Sequence, residues 1–211
     1  MFLKLIGVLG GTFDPVHLGH IHLAKTILQQ TYLHHIKLVP CYQSPHRNQT
    51  HSSAKHRMEM LKLAIANTTN LELDLFELKS PRPSYTIESI KHFHSRLPEG
   101  YALCFIMGAD AFAQFTLWNQ WQEILKLCHI IVATRPGVDT SCKTLPKDFP
   151  ASIVANATKL NKQSSGLIWF TDIKPLDISA TTIRHFIQTG KDASAFLPPK
   201  VWSYIKEHKL Y

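Results

Sequence analysis

Short apolar runs alternate with amphipathic stretches along nearly the whole chain, and this alternation limits the fold more than any other feature. The run Leu3 to Leu9 stops at Gly10-Gly11, as a buried strand entering a tight turn does. From His20 to Gln30, Leu23, Ala24, Ile27 and Leu28 recur at helical spacing. Ile36 to Val39 predicts a second strand, stopped by Pro40, and residues 41–52 are polar and loop-like. Ser53 is placed to cap a helix with Ala54, Met58, Leu61 and Ile65 on one face. Leu71 to Leu78 alternates as a strand does. After the loop Ser80 to Ser84, the residues Ile87, Ile90, His94 and Leu97 form a helical stripe. Tyr101 to Met107, closed by Gly108, is the strongest buried strand. Trp121 to Cys128 predicts a helix, and Ile130 to Ala133 and Leu167 to Phe170 predict two more strands. Ser179 opens a helix ending near Gly190, and Pro198-Pro199 starts a last one over 200–208. Residues 138–166 show only weak periodicity. The pattern predicts an α/β fold with a mainly parallel sheet and helices on both faces. We expect one domain over 1–211, with a small C-terminal helical part from about residue 179.

Composition narrows the class. A chain of 211 residues with 45% hydrophobic and 18% charged residues has core enough to fold and is not mainly disordered. No apolar run approaches the roughly 20 residues that span a bilayer. The stretch Met1 to Gly11 has no small-residue cleavage pattern, so no signal peptide is expected. Cys41, Cys104, Cys128 and Cys142 form no framework, which fits free thiols in a reducing cytoplasm. The net charge of +8 suits polyanionic ligands, yet no basic block is present and a diffusely basic surface accounts for it equally well.

In an α/β sheet of this kind, ligands bind outside the carboxyl ends of the strands. The turn after the first strand reads Gly10-Gly11-Thr12-Phe13-Asp14-Pro15-Val16-His17-Leu18-Gly19-His20. Two glycines allow backbone N–H groups to approach an anion, and the following helix presents its positive end. His17 and His20 lie three residues apart on one helical face, and Gly19 between them keeps the path clear for a bulky ligand. The segment fits neither the dinucleotide fingerprint nor the Walker A loop. An ordinary turn followed by surface histidines is the plain alternative. A zinc site from His17, His20 and His22 would lack a spaced second half.

That segment resembles the H-x-G-H signature of the nucleotidyltransferase superfamily. Ile178-Ser179-Ala180-Thr181-Thr182-Ile183-Arg184 resembles its second signature, I-S-x-T-x-x-R. Further segments are similar to those of the bacterial nicotinate-nucleotide adenylyltransferase family. These are Pro45-His46-Arg47, Ser84-Tyr85-Thr86, Gly108-Ala109-Asp110, Trp118 and Arg135-Pro136-Gly137. The chain departs from that pattern at Ser44, where proline is usual, at Cys41, and at Lys174-Pro175-Leu176-Asp177, which lacks an aromatic residue.

The resemblance implies a Rossmann-like, doubly wound sheet in a cytoplasmic enzyme of NAD biosynthesis. It implies adenylyl transfer from ATP to nicotinate mononucleotide, with Mg2+ carried on the triphosphate and no protein metal ligand. His20, His17 and Arg184 are the implied catalytic residues. Gly10, Gly11, Thr12, Phe13, Ser179, Thr181, Asp110 and Arg135 are implied to bind ATP. Thr86, Trp118, Arg47 and Tyr85 are implied to bind the mononucleotide. The partners implied are these small molecules, with neither nucleic acid nor membrane, and the oligomeric state stays open. Nicotinamide mononucleotide or phosphopantetheine as acceptor is the alternative within enzymes. An RNA-binding module is the alternative outside them, without a basic stripe to support it.

Overall fold

The three apolar runs that stop at glycine or proline lie side by side at the centre of one sheet. They are β1 (Lys4–Gly11), β2 (Leu33–Pro40) and β4 (Tyr101–Gly108). With β3 (Leu71–Leu73), β5 (His129–Thr134), β6 (Ser152–Val154) and β7 (Leu167–Asp172), they form a seven-stranded sheet in the order β3-β2-β1-β4-β5-β7-β6. Each adjacent pair is parallel. The computed structural model describes residues 2–43, 50–80, 82–134, 149, 151–173, 176 and 178–211. The predicted segments Pro45-His46-Arg47 and Arg135-Pro136-Gly137, with Cys142, lie outside these.

Strand alternation splits the core in two. Leu5 and Leu9 of β1, with Cys104 and Ile106 of β4, face one side. There they meet α1 (Leu18–Gln30), α2 (Ala54–Ile65), α6 (Ala180–Gln188) and α7 (Pro199–Glu207) through Ile27, Leu61, Ile183 and Val201. Ile6, Val8, Leu103 and Phe105 face the other side. There they meet α3 (Thr86–His94), the short α4 (Ala109–Phe112) and α5 (Trp121–Leu127) through Ile90, Phe112 and Ile124. The sheet is thus doubly wound. From β1 the chain moves outward to β2 and β3, then returns to the far side of β1 as β4. The reversal between β1 and β4 opens a crevice at their carboxyl ends, which end in Gly11 and Gly108.

Several expectations need correction. β1 runs through both glycines, because Gly10 and Gly11 stay in register with Val39 and Pro40. β3 stops at Leu73 rather than running to Leu78. A 3-10 turn over Glu77–Lys79 replaces its second half, as Phe76 stacks on His92 at 3.7 Å and Glu77 binds Ser89 of α3. The weakly periodic stretch contains β6 and a 3-10 turn over Ala157–Lys162. The inward face of α2 carries Arg57, Met60, Leu61 and Ile65, while Met58 is half-buried. Cys41, Cys104 and Cys128 are buried free thiols. Among the described residues no helix is long and apolar enough to cross a membrane.

Gly7 shows how closely the central strands are covered. A Cβ built there would lie 2.8 Å from Ile36 Cγ1 and 3.1 Å from Ile106 Cδ1. Gly7→Val is expected to destabilise the fold by about 1–3 kcal/mol through overpacking. Urea unfolding checks this; an unchanged midpoint would show that β1 has room to spare.

Candidate active site

The loop leaving β1 is held in an uncommon backbone. Phe13 sits at φ 51°, in the left-handed region, with its ring 2% exposed. Such a conformation costs about 1–3 kcal/mol for a non-glycine residue and persists only when neighbours enforce it. The Phe13 ring packs edge-on to His20 at 4.9 Å and lies against Gly11.

Asp14 is the main fixing point. Its carboxylate, 4% exposed, accepts from the His51 N–H at 2.6 Å, the Ser52 N–H at 3.2 Å, the Ser52 hydroxyl at 2.6 Å and the Tyr211 hydroxyl at 2.6 Å. Burial and the neighbouring carboxylate push the Tyr211 phenol up, so it stays a donor. Arg184 reaches the same residue from α6. Its Nη1 donates to the Asp14 carbonyl at 2.7 Å, across 170 positions of sequence. The two signature segments therefore meet in space. Ser179 caps α6 by accepting from the Thr182 N–H at 3.0 Å, and Arg184 Nη2 donates to the Thr181 hydroxyl at 3.3 Å. Ser179 and Thr181 are exposed and Arg184 is half-buried.

His17 caps α1, and His20 stands in its first turn. Their rings lie 3.7 Å apart, tilted by 30°. The His17 N–H donates to His20 Nδ1 at 3.3 Å. That bond makes Nδ1 an acceptor, so the proton of the neutral His20 ring belongs on Nε2. His17 is 7% exposed, and burial lowers its pKa to about 4, which keeps it neutral at physiological pH. A Cβ on Gly19 would come within 3.0 Å of the His17 ring. Gly19 thus makes room for the His17 ring.

Arg57, absent from the sequence-based set, is 1% exposed beneath this loop. Its Nη1 donates to the carbonyls of Thr12 at 2.8 Å and Cys41 at 2.7 Å, and its Nη2 to that of Tyr42 at 3.1 Å. The cation thereby joins the exits of β1 and β2, already linked by the Cys41 N–H to the Gly11 carbonyl at 2.9 Å. The Cys41 thiol, pushed up by burial, lies 3.7 Å from the Thr12 hydroxyl. Beyond Cys41, the Tyr42 N–H donates to Ser84 Oγ at 3.1 Å, and the Ser84 N–H to the Gln43 carbonyl at 2.9 Å. Glu77, its pKa raised by burial, accepts from Ser89 Oγ at 2.5 Å and from the Ser84 hydroxyl. This polar chain holds Ser84 just before Tyr85, which is 39% exposed, and Thr86, which opens α3.

The remaining predicted residues surround the same crevice or fall outside the described residues. Asp110 is exposed in the first turn of α4, two residues past the end of β4. Trp118 is half-buried and packs edge-on to Phe105 of β4 at 6.1 Å, and Phe105 in turn faces Gly10. Arg47 and Arg135 lie outside the described residues. Among the described residues no group of three His, Cys, Asp or Glu could hold a metal ion. The site is instead rich in imidazole, guanidinium and backbone donors, the groups that neutralise phosphate.

Sequence reasoning passed over Arg57, Asp14 and Glu77. Arg57 carried a signal, since a cation occupied the inward position between Ala54 and Leu61 on a helix read as apolar there. Asp14 and Glu77 carried none, because their partners are distant in sequence.

Comparison with known proteins agrees with this arrangement. Residues 8–186, which include both signature segments, match the Cytidylyltransferase-like family model. Among solved structures, the Plasmodium falciparum nicotinic acid mononucleotide adenylyltransferase complexed with NaAD shares the fold, with a TM-score of 0.72 at 21% identity over 99% of this chain and 97% of that one. A Coxiella burnetii protein described as a probable nicotinate-nucleotide adenylyltransferase is 41% identical, covering 98% of both chains. One of the same description from Cellvibrio japonicus is 37% identical, again over 98% of both. With this likeness along its full length and both signatures joined at Asp14, the chain belongs to the nicotinate-nucleotide adenylyltransferase family.

Proposed function

We propose that the protein transfers the adenylyl group of ATP to nicotinate mononucleotide, giving deamido-NAD and pyrophosphate as a step of cytoplasmic NAD biosynthesis. The observation that supports this reading is the bond from Arg184 to the Asp14 carbonyl, which ties the second signature segment to the loop that leads into the His17–His20 pair of the first. A phosphate oxygen of the mononucleotide attacks the α-phosphorus of ATP. One new P–O bond forms, the α–β bridge breaks, and pyrophosphate leaves with the bonding pair. The nucleophile is already an anion, so the protein supplies positioning and charge neutralisation rather than a strong base.

In this reading His20 Nε2–H donates to the α-phosphate and strengthens that bond as charge builds in the transition state. His17 holds the neighbouring face as a neutral ring. Gly10, Gly11, Thr12 and Phe13 offer backbone contacts to the phosphates. Arg184 takes the β- and γ-phosphates, with Ser179 and Thr181 at the start of α6. Asp110 meets the ribose hydroxyls and Arg135 lies near adenine. Trp118 offers its face to the pyridine ring, Thr86 recognises the carboxylate, and Tyr85 and Arg47 complete the acceptor side. Magnesium enters with the substrate, on the triphosphate and its waters. The only partners required are these small molecules, not nucleic acid or membrane.

Pyrophosphate release with nicotinate mononucleotide, nicotinamide mononucleotide and phosphopantetheine, side by side, tests the assignment. The first is expected to be the preferred acceptor, and a preference for either other would replace it. His20→Ala is expected to stay folded and to lose at least about a hundredfold in kcat. Near-normal turnover would remove His20 from the chemistry.

The neutral state of His17 also shapes stability. Its folded pKa lies below that of the unfolded chain, so between pH 6.5 and about 4 the unfolded state binds the extra proton. Stability should fall by about 3 kcal/mol as pH drops through that window, and level off below it. Urea unfolding of the wild type and His17→Gln from pH 7 to pH 4 reads this directly. Identical pH slopes would mean that another group carries the effect.

A further inference from the structure

We infer that Arg57 is a positioning residue for the transfer reaction, one buried guanidinium that orients the phosphate loop and the acceptor-side loop together. This rests on the adenylyl-transfer reading above. The argument begins with peptide planes. In a trans peptide the C=O and the following N–H point in opposite directions. Asp14-Pro15 is the one cis bond found among the described residues, so the planes that Arg57 touches are trans. Drawing the Thr12 carbonyl toward Arg57 at 2.8 Å therefore turns the Phe13 N–H away from α2. This is the peptide whose Phe13 residue sits in the strained left-handed region.

The second loop shows the same geometry completed by a partner. The Cys41 carbonyl points to Arg57 Nη1 at 2.7 Å, and the N–H of that same peptide, on Tyr42, donates the opposite way to Ser84 Oγ at 3.1 Å. The Tyr42 carbonyl accepts from Nη2 at 3.1 Å, which fixes the next plane as well. Ser84 leads directly into Tyr85 and Thr86 at the start of α3, and Glu77 and Gln43 hold it from its other sides. Arg57 is thus common to two limbs: one runs through Thr12 and Phe13 to the phosphate loop, the other through Tyr42 and Ser84 to the acceptor side.

The choice of residue fits this role. No carboxylate pairs with Arg57 among the ion pairs of the described residues; its partners are three carbonyl oxygens. A planar fork can meet three acceptors on two loops at fixed angles, whereas a lysine ammonium is a compact point on a flexible stem. Arg57→Lys keeps the charge and loses the fork, so it separates geometry from electrostatics.

Steady-state kinetics of Arg57→Lys, with each substrate varied in turn and the folded fraction checked by thermal unfolding, tests the inference. The expected result is a rise of at least about fivefold in the KM for ATP and in that for the mononucleotide together, with kcat lowered about tenfold or more. Ser84→Ala, which cuts the acceptor limb alone, should raise the mononucleotide KM and spare that for ATP. A purely structural Arg57 would lower the unfolding temperature and leave both KM values of the folded enzyme within twofold of wild type; that result overturns the inference, as does a change in one KM only. Should Arg57→Lys fail to fold, Ser84→Ala decides, and two unchanged KM values there overturn the inference. Calorimetric binding of a non-hydrolysable ATP analogue to wild type and Arg57→Lys reads the ATP limb even if the wild type releases no pyrophosphate, so a failure of the reaction assignment is told apart from a failure of the Arg57 geometry.

Discussion

The hydrogen bond from Arg184 to the Asp14 carbonyl is the constraint on which the site depends. It joins the loop after the first strand to the helix that follows the last one. A parallel sheet brings those two segments to the same edge, since each leaves a strand at its carboxyl end. The bond then sets their separation to one guanidinium. Without it, the Thr181 hydroxyl would be the remaining hydrogen-bond partner of the Arg184 guanidinium among the described residues.

Around that bond the charged groups are arranged by burial. The Asp14 carboxylate is satisfied by four donors drawn from the start of α2 and from Tyr211. Arg57 meets three carbonyl oxygens through its two terminal nitrogens while its Nε is buried without a hydrogen-bond partner, and His17 is held neutral by desolvation. The hydrogen bonds of the Asp14 carboxylate and of the Arg57 terminal nitrogens keep a strained loop rigid, and a rigid loop need not reorganise when phosphate charge builds. The left-handed Phe13 persists because both neighbouring carbonyls are claimed, that of Thr12 by Arg57 and that of Asp14 by Arg184.

The legible part of this design is local. Gly10-Gly11, the two histidines and the Ser179 cap announce themselves through spacing and backbone requirements that act within a turn or two. The central strands are legible because buried parallel strands are continuously apolar. β3 and β6, of three residues each, are too short to impose a period, and Phe76 is pulled from the predicted strand by stacking on His92. The Asp14–Tyr211 contact spans 197 positions and the Arg57 contacts reach two separate loops. Such pairings are properties of the packed chain, and no window of sequence contains them. The packing of Gly19 against the His17 ring is local, two positions apart, and depends on how the folded turn orients that ring.

The most direct test is a crystal structure of the protein with a non-hydrolysable ATP analogue and magnesium. The account predicts that His20 Nε2 and the Arg184 guanidinium each lie within hydrogen-bond distance of the same triphosphate, with the Arg184–Asp14 bond retained. A triphosphate bound at any other edge of the sheet, or one that meets His20 while Arg184 stays out of reach, would contradict it.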